Sequence, residues 1–292
     1  MSFDLYCKPN GGAPPIPELK AYFEALPLFS VNDTSDGGVQ FWYRNEVTGV
    51  YCSLSYSPLD ADEVEGCGSS GLAFNLNYLR PSFFAYETMP LVEAFCKHFD
   101  LLVEDPQEET TQPADAERLI ASWRAHNTNA VRGMAAAEPD FELNYYPETR
   151  ATEWWHYMTA RQSIEDALTE DLFVPSIMFL QSPRKQLFTM IVWPDGIPQF
   201  FPRCDYVYVE RQKKRLFGPK EETGVAPYQS VLDNFGSLLD DYRNGELQLK
   251  YLPIDKKPMA ASLLQSLPLQ TIDLGQHTRI EPDNFHDVEF KR

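Results

Sequence analysis

Four runs of this chain alternate with a period of two: Phe3, Leu5 and Cys7; Val39, Phe41 and Tyr43; Val50, Cys52, Leu54 and Tyr56; Leu72, Phe74, Leu76 and Tyr78. Successive side chains of a strand point to opposite faces, so each run has one face to bury and one to leave in water. That pattern asks for a mainly antiparallel sheet with helices on one side. The sequence supplies candidate helices. Leu19, Tyr22, Phe23 and Leu26 follow helical spacing and stop near Pro27. A second helix is predicted over residues 89–99, with Thr88 as cap and Pro90 in the first turn, where proline is tolerated. His98 falls on its apolar face and reads as a core histidine.

Residues 104–113, E-D-P-Q-E-E-T-T-Q-P, are polar and contain two prolines, and predict a linker at 106–113. Beyond it, a helix is expected from Ala116 to about Gly133, interrupted near 127–129. Residues 151–160 are ambiguous between strand and helix. Strands are expected over 172–180, 186–193 and 199–211, with P-D-G-I-P turning the second into the third. A basic loop (Lys213, Lys214, Arg215), a helix from Val231 to Tyr242, a strand over 247–252, a short helix over 259–267 and a polar tail from Gln276 follow. The expected class is α+β in two modules, each a mainly antiparallel sheet with helices packed on it: an acidic module at 1–105 and a second at 114–292.

Charge narrows the function. The 292 residues carry 43 acids against 25 bases, a net of −18. Residues 1–112 hold 17 acids and 5 bases, net −12, and residues 113–292 hold 26 and 20, net −6. Direct nucleic-acid binding needs cationic surface to release counterions from phosphates, and this balance opposes it. No apolar run approaches the length of a membrane span, the start M-S-F-D-L-Y is not a secretory signal, and the five scattered cysteines contain no C-x-x-C. A cytoplasmic protein with no disulfide framework is expected.

A dense acidic run is P-L-D-A-D-E-V-E-G-C-G, residues 58–68, between two of the strand-like runs. Its Asp60, Asp62, Glu63 and Glu65 form an acidic display without a cation, suited to a basic protein partner. Glu104, Asp105, Glu108 and Glu109 form a second such patch, expected to face solvent, and Trp154 and Trp155 are candidate aromatic anchors. Other motifs carry less. Residues 66–71 match G-x-G-x-x-G, but a strand follows where a dinucleotide fold needs a helix, and the preceding carboxylates repel phosphate. Glu153 and His156 have the E-x-x-H spacing of a metal ligand pair, but it occurs once, whereas a di-iron bundle uses it twice. A metal- or small-molecule-dependent enzyme using Glu153, His156 or the glycine turn is the alternative reading, and an oligomeric structural adaptor a third.

The opening M-S-F-D-L-Y, the hairpin Q-F-W-Y-R-N-E-V-T-G-V-Y, the phrase L-R-P-S-F-F-A-Y-E-T-M-P-L-V-E-A-F and the later R-L-F-G-P-K-E-E-T-G-V-A-P-Y-Q-S-V-L resemble bacterial immunity proteins paired with polymorphic toxins. The nearest resemblance is to the cytosolic partner of a restriction-endonuclease-fold toxin delivered by type VI secretion. It implies a non-enzymatic inhibitor that binds its cognate nuclease in the cell that makes it. Separately, no cofactor is expected, the toxin partner is expected to be a basic nuclease, and a homodimer with a second copy of the chain is a further expected partner. The resemblance carries no functional residues onto this sequence. A nuclease needs a cationic groove, so resemblance and charge point the same way.

Overall fold

The computed structural model describes residues 1–11, 13–58, 71–138, 144–215, 218–245 and 247–289, without the side chains of 214, 215, 218 and 219. The fold is mixed α+β, and the chain divides into two compact units: Met1–Leu143 with Pro282–Arg292, and Asn144–Glu281.

In the first unit the elements are β1 (Ser2–Pro9), α1 (Ile16–Glu24), β2 (Phe29–Asp33), β3 (Val39–Asn45), β4 (Val50–Tyr56), β5 (Leu72–Asn77), α2 (Phe83–His98), β6 (Leu101–Asp105), β7 (Thr110–Pro113) and α3 (Ala116–Ala137). The strands form one antiparallel sheet in the order β2-β3-β4-β5-β1-β6-β7. The inward row Phe41, Leu54, Phe74 and Leu5 runs straight across four strands. All three helices meet this face: Phe23 of α1 stacks on Phe41 at 4.3 Å, Cys96 of α2 lies 3.9 Å from Cys7, and His126 of α3 is 6.4 Å from Phe3. The opposite row, Ser30, Trp42, Ser53, Asn75 and Asp4, is the polar half of the same alternation.

Several expectations are corrected here. Residues 106–113 are not a linker but the turn and edge strand of this sheet, with Glu104 opposite Thr111 and Leu102 opposite Pro113. An edge strand leaves half its backbone groups to water and tolerates proline, so it has a linker's composition. The unit boundary lies at 143/144 instead, and the chain returns to the first unit at Pro282. Helix α2 starts at Phe83, six residues before the predicted start, and carries Pro90 in its interior. Thr88 is not its cap; its hydroxyl donates to the Phe84 carbonyl at 2.7 Å. The start is held by Asp287, whose carboxylate accepts from the Ser82 N–H at 2.7 Å and the Ser82 hydroxyl at 3.1 Å. His98 is exposed against the Tyr22 ring rather than in the core. Helix α3 runs unbroken, because the buried Asn127 accepts from Leu79 N–H (2.7 Å) and donates to the Arg80 carbonyl (2.9 Å).

The second unit contains β8 (Asn144–Tyr145), α4 (Glu148–Ala167), β9 (Met178–Gln181), β10 (Leu187–Pro194), β11 (Phe200–Phe201), β12 (Tyr206–Arg215), β13 (Gly218–Pro227), α5 (Tyr228–Phe235), β14 (Asp240–Asn244), β15 (Leu247–Tyr251), α6 (Lys257–Leu264) and β16 (Thr278–Ile280). Its sheets are β13-β12-β10-β9-β16 and β11-β15-β14. The ambiguous 151–160 is helix. P-D-G-I-P does not make a hairpin: the chain passes through β11 in the smaller sheet and returns with β12 parallel to β10. The predicted helix to Tyr242 ends at Phe235, and Tyr242 lies in β14. Trp193 is the hub of the core, edge-on to Phe201 and Phe235 at 4.9 Å each. The tail is not wholly polar, since β17 (Phe285–His286), in the first unit, is buried.

Candidate protein-binding end of the first sheet

The strand directions sort the first unit's turns onto two ends of its sheet. β2 and β4 run toward one end and β3 and β5 run away from it, so the 34–38 turn and the 57–71 connection both leave there. β1 ends there too, and Asn10 N–H reaches the Asp100 carbonyl at 3.1 Å. That end displays Asp33, Asp36 and Asp100, all exposed. Pro58, where the acidic stretch departs, sits beside the turn: a Cβ placed on Gly37 would lie 4.0 Å from its ring. Asp60, Asp62, Glu63 and Glu65 lie outside the described residues; the described chain stops at Pro58 and resumes at Gly71, both at this end.

Asp36 is held ionised by its own turn. Its carboxyl is shifted below the usual carboxylate range, first by the Thr34 hydroxyl and then by backbone N–H groups of Asp36 and Gly38. Asp33 pairs with Lys20 at 2.5 Å.

The second predicted patch is at the opposite end and is not a uniform surface. Glu108 and Glu109 are exposed in the β6–β7 turn. Glu104 is half-buried and pairs with Lys8 at 2.9 Å. Asp105 is 1% exposed, which corrects the expectation that it faces solvent. Its carboxylate accepts from Gln107 N–H and the Ser122 hydroxyl at 3.0 Å each, fastening the turn to α3. Trp154 is also interior: it is 3% exposed and donates to the Ile177 carbonyl at 3.1 Å. Trp155 is half-buried with its ring 4.9 Å from His156. Neither is an exposed anchor. The exposed aromatic of the first sheet is Trp42, 40% exposed on the outward face. Sequence reasoning missed Trp42, Asp33 and Asp36. The signal was present, since Val39, Phe41 and Tyr43 facing inward put Trp42 outward.

Glu153 is engaged by Arg203 at 2.6 Å and Arg150 at 3.5 Å, and His156 is exposed. Asp205 accepts from Thr189 N–H (2.7 Å), the Thr189 hydroxyl (2.8 Å) and the Tyr146 hydroxyl (3.1 Å), with Arg150 at 3.3 Å. Burial, followed by the Asp205 charge, raises the Tyr146 hydroxyl above its ordinary value, and the network fastens β10 to the start of β12. Among the described residues no three His, Cys, Asp or Glu side chains gather as a metal site, and no helix is long and apolar enough to cross a membrane. No family model, curated protein or solved structure matches the chain, so the functional reading rests on this geometry and charge.

Proposed function

We propose that the chain is an immunity-type inhibitor that binds and neutralises a basic protein, a toxin nuclease, without catalysis. The observation that carries the reading is where the charge lies. The first unit holds 25 acids against 10 bases, net −15, and the second 18 against 15, net −3. The asymmetry follows the compact units more closely than it follows the sequence halves. Acidic turns at one sheet end compete with phosphates for a cationic groove and steer encounter with it, while the outward Trp42, at the middle of β3, supplies an anchor on the same sheet.

The test begins with co-expression and co-purification with the product of the adjacent gene. The expected result is a stoichiometric complex and restored growth; a freely purified chain that gives no protection sinks the reading. Given a complex, Asp33→Asn and Asp36→Asn combined with Asp60→Asn, Asp62→Asn, Glu63→Gln and Glu65→Gln should slow association by about tenfold or more at low salt. The difference should close near 1 M salt, where screening acts within about 3 Å. Thermal stability should change little, because Asp33 and Asp36 are exposed and the other four are expected to face solvent. Equal association rates across the salt series would remove the acidic end from the interface.

Trp42→Ala tests the anchor separately. A hot-spot aromatic is worth at least about 2 kcal/mol, roughly a thirtyfold faster dissociation with association unchanged. Unaltered dissociation would place the anchor elsewhere.

A further inference from the structure

Cys7 and Cys96 bring two thiols together in the core of the first unit. Cys7 ends the inward row of β1 (Phe3, Leu5, Cys7) and stands opposite Leu72 of β5 and Val103 of β6. Cys96 lies on α2 and is buried with Val92 and Phe95 of the same helix. The two sulfurs are 3.9 Å apart, although 89 residues separate them in sequence. The side chains are 0% and 1% exposed. A disulfide holds its sulfurs about 2.05 Å apart, so an approach of about 2 Å would turn this dithiol into a bond. Cys52 lies on β4, two strands from β1 in the sheet, and Cys204 belongs to the second unit.

In the closed unit this pair is protected. Thiol–disulfide exchange needs a thiolate that can reach the oxidant. Burial keeps both sulfurs from solvent. The Cys96 contact, and then burial, raise the Cys7 thiol well above its ordinary value. Opening the unit removes both obstacles together. We infer that Cys7 and Cys96 form a redox latch: they remain a dithiol while the first unit is closed, and a disulfide oxidant such as oxidised glutathione links them when it opens, tying β1 to α2. One exposed thiolate attacks the oxidant, forms a mixed disulfide and releases a glutathione thiolate. The other attacks the protein sulfur of that mixed disulfide and releases the second glutathione thiolate. Two electrons pass from the protein to glutathione, and the two thiol protons end on the released glutathiones. The link closes a long loop in the unfolded chain and should lower the unfolding constant of the first unit roughly 30- to 700-fold. The inference rests on the two thiols alone and holds whatever the chain binds.

Oxidised glutathione added to the full chain tests it, once under native conditions and once in denaturant followed by dilution. Intact mass and non-reduced peptide mapping identify the product. A Cys7–Cys96 link, lighter by two hydrogens, is expected in the chain refolded with oxidant. Under native conditions it should form about a thousandfold more slowly or less, because only the small open population reacts. Hydrogen exchange of the first unit's amides in urea should show the lowered unfolding constant, and a phosphine reductant should abolish the gain. Cys67→Ser removes a competing thiol that lies outside the described residues, and should change neither result. Cys96→Ala should lose the oxidant-dependent gain; the wild-type mapping decides even where that variant fails to fold. A different cysteine pairing in the refolded chain, native oxidation as fast as that of the unfolded chain, or a linked chain no more stable than the reduced one each overturns the inference.

Discussion

Phe285→Ala is expected to destabilise the first unit by about 3–5 kcal/mol, the usual cost of emptying a buried phenylalanine site. The side chain is 0% exposed, with its ring 6.2 Å from Phe83 in an edge-to-face contact. Phe83 opens helix α2, and two residues past Phe285 the Asp287 carboxylate caps that opening at Ser82. The last stretch of the chain thus completes the acidic unit, 205 residues in sequence from the helix it caps. Total stabilities run to about 5–15 kcal/mol, so this one substitution would remove a large fraction. Asp287→Asn keeps an acceptor and loses the charge, and should cost less, about 1–2 kcal/mol. Denaturant unfolding of the full chain measures both. A Phe285→Ala variant within about 1 kcal/mol of the wild type would mean that this segment only rests on the unit.

The first sheet was legible because its strands bury one face only. Period two survives where one side meets water, and β1, β3, β4 and β5 all fall where the alternation put them. What failed was whatever depended on distant chain. The start of α2 was placed late because its cap is Asp287, and no local window around Thr88 contains it. Asn127 looked like a helix breaker because its amide is free to disrupt a helix in isolation; here the Leu79–Arg80 backbone consumes it. The hairpin at 106–113 looked like a linker because an exposed sheet edge and a linker meet the same solvent. In the second unit, β10 and β12 are parallel neighbours with another sheet's strand between them in sequence, and parallel pairing leaves no turn signal to read.

Legibility of the candidate site followed the same division. That residues 58–68 are acidic and leave from a sheet needed only local reading. That Asp33 and Asp36 share their end, while Glu108 and Glu109 are at the other, needed the meander of strands to be traced. The parity of hairpins in an antiparallel sheet fixes it, since alternate turns return to the same end. Composition could not separate Asp105 from its neighbours. Four acids in six residues look alike until a hydroxyl such as that of Ser122 arrives from another element and buries one of them.

Gly71→Ala should have the largest effect at the acidic end, and it acts on the neck rather than on a charge. Gly71 has φ +69°, and its carbonyl accepts from the Ser57 N–H at 2.8 Å, one step beyond the last ladder pair, Tyr56 with Leu72. A Cβ there would lie 2.0 Å from the Ser57 carbonyl oxygen, a backbone atom that no rotamer can move aside. The left-handed conformation alone costs an alanine about 1–2 kcal/mol. Opening the neck to clear the clash forfeits its hydrogen bond, about 1 kcal/mol more. Together these predict a fall in melting temperature on the order of 5–10 °C for a unit of this size. Gly37→Ala is the matched control: at the same sheet end, with φ +84°, its Cβ would meet nothing closer than the Pro58 ring at 4.0 Å, so it isolates the conformational cost. Equal losses from the two variants would show that crowding at Ser57 contributes nothing. A larger loss at Gly71, accompanied by slower low-salt association with the proposed basic partner, would show that the Ser57–Gly71 contact matters both to the end of the sheet and to that association.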